Sequence, residues 1–368
     1  MQSTKSHVWW TEFFKAGAFL RLSDGQMLLW SGPFETCAEP PIGEKTPKFS
    51  VAYMNFFGSA MEFKLSFAKP VGVSVTEVQA DLSRFQASLN PQPSELLKAS
   101  DFQNQGYEDF EKTIQSLMGK IHRGELEKAV PVIFSRSKRA ATVANLAQWM
   151  KNLLQTPDTL HAFGFWENGV GIMGATPEIL FHRQEGKIST MALAGTMPRS
   201  EVGKRNSLLK DAKELHEHQL VVVDIQRQLG KWGAVRKSDP KILELPTLLH
   251  LQTLLEIENV NCGLRELVQQ LHPTPALGVS PRAYGYHWLG STSDQEGRRL
   301  FGAPILFSTP VSEVCLVAIR NIQWDQQGCR VGAGCGVVKE SQPEQEWQEL
   351  QQKANSVLLM LGMTELTP

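Results

Sequence analysis

The sequence predicts an α+β fold, in which strands pair antiparallel and helices stand apart from them instead of alternating in βαβ units. Three observations carry this. A strand meander occupies 160–198 and includes FGFWENGVGIMGATPEILFHRQEGKISTMALAGTMP, with turn signals at Glu167-Asn168-Gly169 and Glu185-Gly186. Long amphipathic patterns lie outside that meander, not between its strands. The opening region carries its own hairpin signal, Asp24-Gly25, between the apolar runs of AFLRLSDGQMLLWSGP, because both residues tolerate positive φ.

The elements follow in chain order. The polar, turn-rich stretch NPQPSELLKASDFQNQ, 90–105, marks a junction after the first strands. Phe110, Ile114, Leu117, Met118 and Ile121 then recur at helical spacing, which predicts a helix over 107–122 leading into the strand-like KAVPVIFS that begins at Lys128. A second long helix is expected from 207 to about 230 and a third from 343 to 361. Between them CLVAIRNIQW reads as an apolar strand interrupted by Arg320.

At 368 residues and 42% hydrophobic content, the chain can bury one large core or two ordinary ones. Lys and Arg total 37 against 38 Asp and Glu, so no overall field draws in a polyanion: nucleic acid is not expected, and any anion affinity must be local. No run approaches the roughly 20 apolar residues of a membrane span. The start, MQSTKSHVWWTEFFKAG, lacks the pattern of a signal peptide. Five scattered cysteines show neither CxxC pairs nor zinc spacing, so reduced thiols in a cytoplasmic protein, away from the membrane, are the expectation.

Two helical segments bring acids together. DAKELHEHQLVVVDI puts Glu214 and Glu217 on one helix face, and PEQEWQELQQK does the same for Glu346 and Glu349, with Lys353 one turn later. Facing pairs of this kind suit Mg²⁺, a hard cation held by carboxylate oxygens. The spacing suits solvated surface acids equally. The glycine-rich VGAGCGVV, 331–338, either offers backbone N–H groups to an anion or makes an ordinary tight turn. Arg320 needs a partner that a carboxylate ligand or a structural salt bridge would supply.

Seven segments, GATPEILF, ALAGTMPR, KELHEHQLVVVDI, LHPTPALG, VAIRNIQW, GAGCGVV and PEQEWQELQQK, stand in the order seen in the chorismate-binding enzymes. The chain resembles that family over roughly 107–362, while its first hundred residues match no motif. The resemblance implies a single large domain, 1–368, of two packed, mostly antiparallel sheets flanked by helices. Within it, 1–100 is a divergent part of the same fold and 107–362 the catalytic portion, with Mg²⁺ and chorismate in its cleft. By motif, Glu217 and Glu349 match the metal ligands, and Glu214 and Glu346 hold metal-bound water or the site's geometry. Arg320 and Lys353 match the cations that bind substrate carboxylates, the backbone of Gly332, Ala333 and Gly334 lines the pocket, and His272 belongs to the same family site.

The resemblance also bears on the reaction. Members that use ammonia resemble one another in carrying glutamine where this chain has Lys128; a lysine there accepts a proton from water, provided desolvation or a nearby cation lowers its pKa. Glu178, in GATPEIL, would protonate the departing C4 hydroxyl while water enters at C2, which requires a carboxyl kept protonated by burial. Members that attack through a lysine carry it in a PIKGT-like segment, whereas here Ala194 precedes Gly195 and Thr196 in LAGT. The implied activity is isochorismate synthase. Salicylate synthase, which goes on to eliminate pyruvate, is the alternative, and a chorismate-binding protein without turnover a third. No amidotransferase subunit is expected, and the chain would be a monomer or weak dimer. Two positions depart from the family pattern: Phe301, in RRLFGAP, replaces a tyrosine, and Val279, in GVSP, stands where a smaller residue would sit near the ring.

Overall fold

In the computed structural model, which describes residues 5–22, 25–38, 48–68, 70–104, 106–292 and 298–363, two sheets lie face to face. The first orders its strands as Val71–Ser74, Gln26–Ser31, Ala16–Arg21, His161–Glu167, Val170–Thr176, Asn321–Asp325, Gly328–Gly334, Val132–Ser137 and Gln103–Asn104. The second runs Arg236–Lys237, Leu248–Glu258, Lys187–Pro198, Ile179–Gln184, Glu313–Val317, Pro304–Ser308, Phe49–Tyr53, Glu62–Ser66 and Glu35–Cys37, with Lys241–Glu244 beside Leu248–Glu258. Every pairing among the described strands is antiparallel. Between the sheets, Leu20, Phe163 and Ile172 meet Val51, Ile305 and Phe307, and Trp30 stacks on Phe49. The α+β sandwich implied by the motifs is the fold observed.

Helices cover the outer faces. Helices α1 (His7–Lys15), α2 (Val75–Leu89) and α4 (Val143–Leu153) join an aromatic layer on the first sheet that includes Trp10, Phe13, Trp149 and Trp166. Helices α5 (Ala212–Leu229) and α6 (Leu264–Leu271) cover the second through Val221, Ile225 and Leu267. Helix α3 (Tyr107–His122) packs with α7 (Pro343–Met360) around Phe110, Ile114 and Leu350.

The meander forms as its turn signals require: Asn168 and Gly169, and Glu185 and Gly186, all adopt positive φ. Yet its four strands are shared between the sheets. The chain leaves the first after Thr176 and enters the second at Ile179. CLVAIRNIQW corrects the expectation of one strand in the same way: Glu313–Val317 lies in the second sheet and Asn321–Asp325 in the first. Arg320, at φ 51°, makes the bend. The two crossings lie side by side, joined by Thr176 Oγ1 donating to Val317 O at 2.8 Å and Val317 N to Glu178 O at 3.0 Å. Glu178 and Arg320 are therefore delivered together, at the open end of the sandwich.

Three further expectations change. The second long helix starts at Ala212, not 207, because Arg199–Lys210 is wound as a 3₁₀ segment and Asp211 caps α5 by accepting from Glu214 N. Gly332 to Gly334 end a strand paired with Val132–Ser137, not a loop; pairing with Asn321–Asp325 stops at Val331, so the other edge of 332–334 has no strand partner among the described residues. Helices α1, α2, α4 and α6 have no counterpart in the sequence reading. Of the 18–33 hairpin, the two strands pair as expected, while Asp24 lies outside the described residues.

Candidate active site

The crossings, the glycine strand and helices α5 and α7 surround a cleft. Glu178, Ala194, Thr196, Glu217, Phe301, Arg320, Gly332, Ala333, Gly334 and Lys353 line it, ten of the residues singled out from sequence. Gly195 sits just behind, as the left-handed residue of a bulge in the strand Lys187–Pro198. A Cβ there would lie 2.9 Å from Glu214 O, so glycine allows α5 to approach closely. The bulge also turns Thr196 N toward Glu214 Oε2, to which it donates at 2.6 Å.

Lys128 is fully buried beside this wall rather than on it, with Nζ 2.8 Å from Glu217 Oε1. The contact is ionic, without the alignment of a well-formed hydrogen bond. Burial works to raise the Glu217 pKa, but Lys128, with Lys353 and Lys213, outweighs it and leaves this carboxylate below its ordinary value. Glu178 has the opposite balance. Burial pushes its carboxyl up to about 8 against the pull of Lys128 and Lys353. It is thus a protonated acid near neutrality, as the sequence reading required of it.

Arg320 faces the cleft, and burial lowers its pKa to about 10, so the guanidinium remains charged. Among the described residues no carboxylate forms an ion pair with it; its nearest polar neighbour is His250 Nε2, at 3.5 Å. Burial, reinforced by Arg320 and Lys353, holds His250 well below the usual imidazole pKa, so the ring is neutral. Its Nδ1 lies 3.2 Å from Thr196 Oγ1. Lys353 donates to Gly334 O at 2.9 Å and pairs with Glu349 Oε1 at 2.6 Å.

The acidic pairs of α5 and α7 do converge, and three ammonium groups hold them. Lys128 takes Glu217, Lys353 takes Glu349, and Lys213 lies 3.1 Å from Glu346 Oε1 and 3.4 Å from Glu214 Oε1. Burial, with repulsion from Glu217 and Glu349, pushes Glu214 up to about 7; burial and Glu349 likewise raise Glu346. A set of crowded, oxygen-only donors whose repulsion a hard cation would relieve fits Mg²⁺ in its chemistry. Its present arrangement is one of ion pairs: among the described residues no three acidic, His or Cys side chains form a ready metal cage.

Of the expected site residues, Glu214, Glu346 and Glu349 stand behind the cleft wall, and two further expectations lie away from it. His272 does not line it: Nε2 lies 3.0 Å from Phe56 O, and burial lowers its pKa to about 3, the setting of a structural imidazole. Val279 points into the apolar cluster beneath α3 and α7. Phe301, by contrast, lines the pocket, and Gly332 makes room for it, since a Cβ there would lie 2.6 Å from the ring. The sequence reading missed His250, Lys213 and Gly336. A side chain at Gly336 would collide with Glu217 Oε1 and lie 2.9 Å from Lys128 Cε, so this glycine keeps the Lys128–Glu217 pair next to the cleft. The signal for His250 was a polar residue within the apolar strand TLLHLQT, the same irregularity that singled out Arg320.

A model of the chorismate binding enzymes matches residues 61–362, most of the chain. The chain belongs to this family. The match extends well before 107, where recognisable motifs begin. The vibriobactin-specific isochorismate synthase of Vibrio cholerae is 27% identical over 70% of this chain and 67% of its own length. The isochorismate synthase MenF of Bacillus subtilis is 32% identical over 58% of this chain and 47% of its own. The chain thus spans between about half and two thirds of these curated relatives. In three dimensions it is similar to Escherichia coli MenF, with TM-score 0.76 and 20% identity over 94% of this chain and 88% of the other. It is also similar to anthranilate synthase component I of Streptococcus pneumoniae, at TM-score 0.68 and 16% identity over 92% and 89%. The fold is common to enzymes of different names, so the reaction must be argued from the site.

Proposed function

We propose that this chain is an isochorismate synthase, converting chorismate to isochorismate by adding water at C2 and releasing the C4 hydroxyl. The observation that carries the reading is the joint delivery of Glu178, a carboxyl whose pKa burial raises to about 8, and Arg320 to the wall of one cleft by the paired strand crossings. Arg320, which faces the cleft with no carboxylate partner among the described residues, binds one substrate carboxylate bidentately, and Lys353 supports the other. Glu178 gives its proton to the leaving hydroxyl. Lys128, beside Gly336, serves in its neutral amine form as the base that takes a proton from the entering water, a form that requires its ion pair with Glu217 to be broken first. Ala194 occupies the position at which relatives that attack through a lysine carry that residue, which leaves water as the nucleophile. Names of relatives such as the Vibrio cholerae and Bacillus subtilis isochorismate synthases support the same choice.

In this reading Glu217 and Glu349, with Glu214 and Glu346 beside them, hold Mg²⁺. When bound, the cation supplies charge neutralisation for a substrate carboxylate and orders the ring against the acid. The whole reaction needs no second subunit and no ammonia. The test is incubation of purified protein with chorismate, with and without Mg²⁺, and chromatographic identification of the products. Metal-dependent formation of isochorismate alone is expected. Salicylate with pyruvate would replace this reading by salicylate synthase, and no conversion would leave a chorismate-binding protein.

A further inference from the structure

Lys213 has no local reason to be where it is. It occupies the first turn of α5, where the helix dipole disfavours a cation. Its contacts are instead with two carboxylates from different helices, Glu214 of α5 and Glu346 of α7, at 3.4 and 3.1 Å. The other two ammonium groups of the cluster are tied more firmly. Lys128 has no exposed side-chain surface, and Lys353 also donates to Gly334 O. Lys213 keeps 25% of its side chain exposed, so its flexible stem has a path outward. We infer that Lys213 is a built-in counter-cation: it bridges Glu214 and Glu346 while the divalent site is empty, and swings out to solvent when Mg²⁺ binds.

The inference rests on the proposed metal site and adds a residue that competes for it. An ammonium approaches carboxylate oxygens at roughly 3 Å, whereas Mg²⁺ demands about 2.0–2.1 Å. In this reading Glu214 and Glu346 must turn their oxygens toward the cation or its bound water, and the oxygens that now hold Lys213 cannot serve both. Lys213 also explains how the carboxylates of the two helices are kept close, since it offsets the repulsion that Glu217 and Glu349 exert on both Glu214 and Glu346.

Isothermal titration of Mg²⁺, and of Mn²⁺ as a second probe, into the full chain and its Lys213→Met variant tests this. The variant should bind either cation at least fivefold more tightly than wild type and melt at a lower temperature without metal, with the deficit closing at saturating Mg²⁺. Lys213→Arg, which keeps the charge, should show no gain in affinity. Unchanged or weaker binding by Lys213→Met would overturn the inference. Should that variant fail to fold, wild type decides: acetylation of Lys213, followed by mass spectrometry, should accelerate at least twofold with Mg²⁺ against NaCl of equal ionic strength, and an unchanged rate overturns the idea. The two readings fail differently. Wild type that binds neither cation sinks the metal site and the lysine with it; wild type that binds, with no effect of Lys213, sinks only the lysine.

Discussion

On the outer face of the first sheet, Trp10, Phe13, Trp149 and Trp166 are buried among one another, and the Trp166 indole N–H donates to Phe13 O at 2.9 Å. At the open end of the sandwich Lys128, Glu178 and Glu346 are buried almost as completely, but there the interior is made of charges. The first region follows the rule that apolar area leaves water, although the buried Trp10 Nε1 has no hydrogen-bond partner among the described residues. The second breaks it: paired charges inside a protein often cost more in desolvation than they return. Stability explains the aromatic layer, and only chemistry explains the cleft.

The largest expected contrast is between Lys128→Ala and Trp166→Ala. Under the proposed mechanism Lys128→Ala should lower turnover of chorismate by about 10²- to 10⁴-fold, measured on protein shown by circular dichroism to be folded. Wild-type turnover in that variant would remove the acid–base assignment. Trp166→Ala should instead cost about 3–5 kcal/mol in chemical denaturation, with kcat retained at temperatures where the molecule is still native. If folded Trp166→Ala loses kcat as badly as Lys128→Ala, the division between the two regions is false.

Glu178 gives a subtler contrast, because in this region removing a charge should stabilise. Its pKa is raised from the ordinary 4.5 to about 8 in the native state. Below about pH 4.5 both native and unfolded chains hold the proton. Between the two values only the native chain does, so stability declines as pH rises through this window and the full penalty stands above about 8. Glu178→Gln should therefore unfold at higher denaturant than wild type at pH 9, by up to about 5 kcal/mol, and match it at pH 4. Wild-type turnover should fall as pH rises through about 8, and a variant no more stable at pH 9 than wild type would mean that Glu178 is not a strained acid.

The two regions also differ in how far the sequence disclosed them. The cleft was legible where Arg320 broke an apolar strand, and otherwise through the family resemblance, which singled out Glu178 and chose between the solvated and metal-binding readings of Glu214 and Glu217. An irregularity like that of Arg320 persists when the chemistry needs it. The sheet exchange at Glu178 and Arg320 was not legible, since two apolar strands on either side of a bend read the same whether they share a sheet or not. The spatial failure of His272 and Val279 has the same origin, as motif order says nothing about which way a side chain faces. Helices α1 and α2 were missed although their apolar periodicity is no weaker than that of α5 and α7, which the family motifs singled out. Tertiary burial of Trp10, Phe13 and Phe85 makes them helices in the fold.

Helix α2 supplies the smallest and most local test. Ser74 begins it with a capping box, accepting from Glu77 N through its hydroxyl while the Glu77 carboxylate accepts from Ser74 N. Its apolar side delivers Val78, Leu82 and Phe85 to the aromatic layer, far in the fold from the crossings that carry Glu178 and Arg320. Ser74→Ala should therefore lower unfolding free energy by about 1 kcal/mol and leave kcat and KM for chorismate unchanged. Because the lost stability is small, the variant remains folded under assay conditions, and any change in kcat would report coupling and not unfolding. Such a change would mean that the aromatic layer positions the cleft as well as stabilising the sheet that bears it.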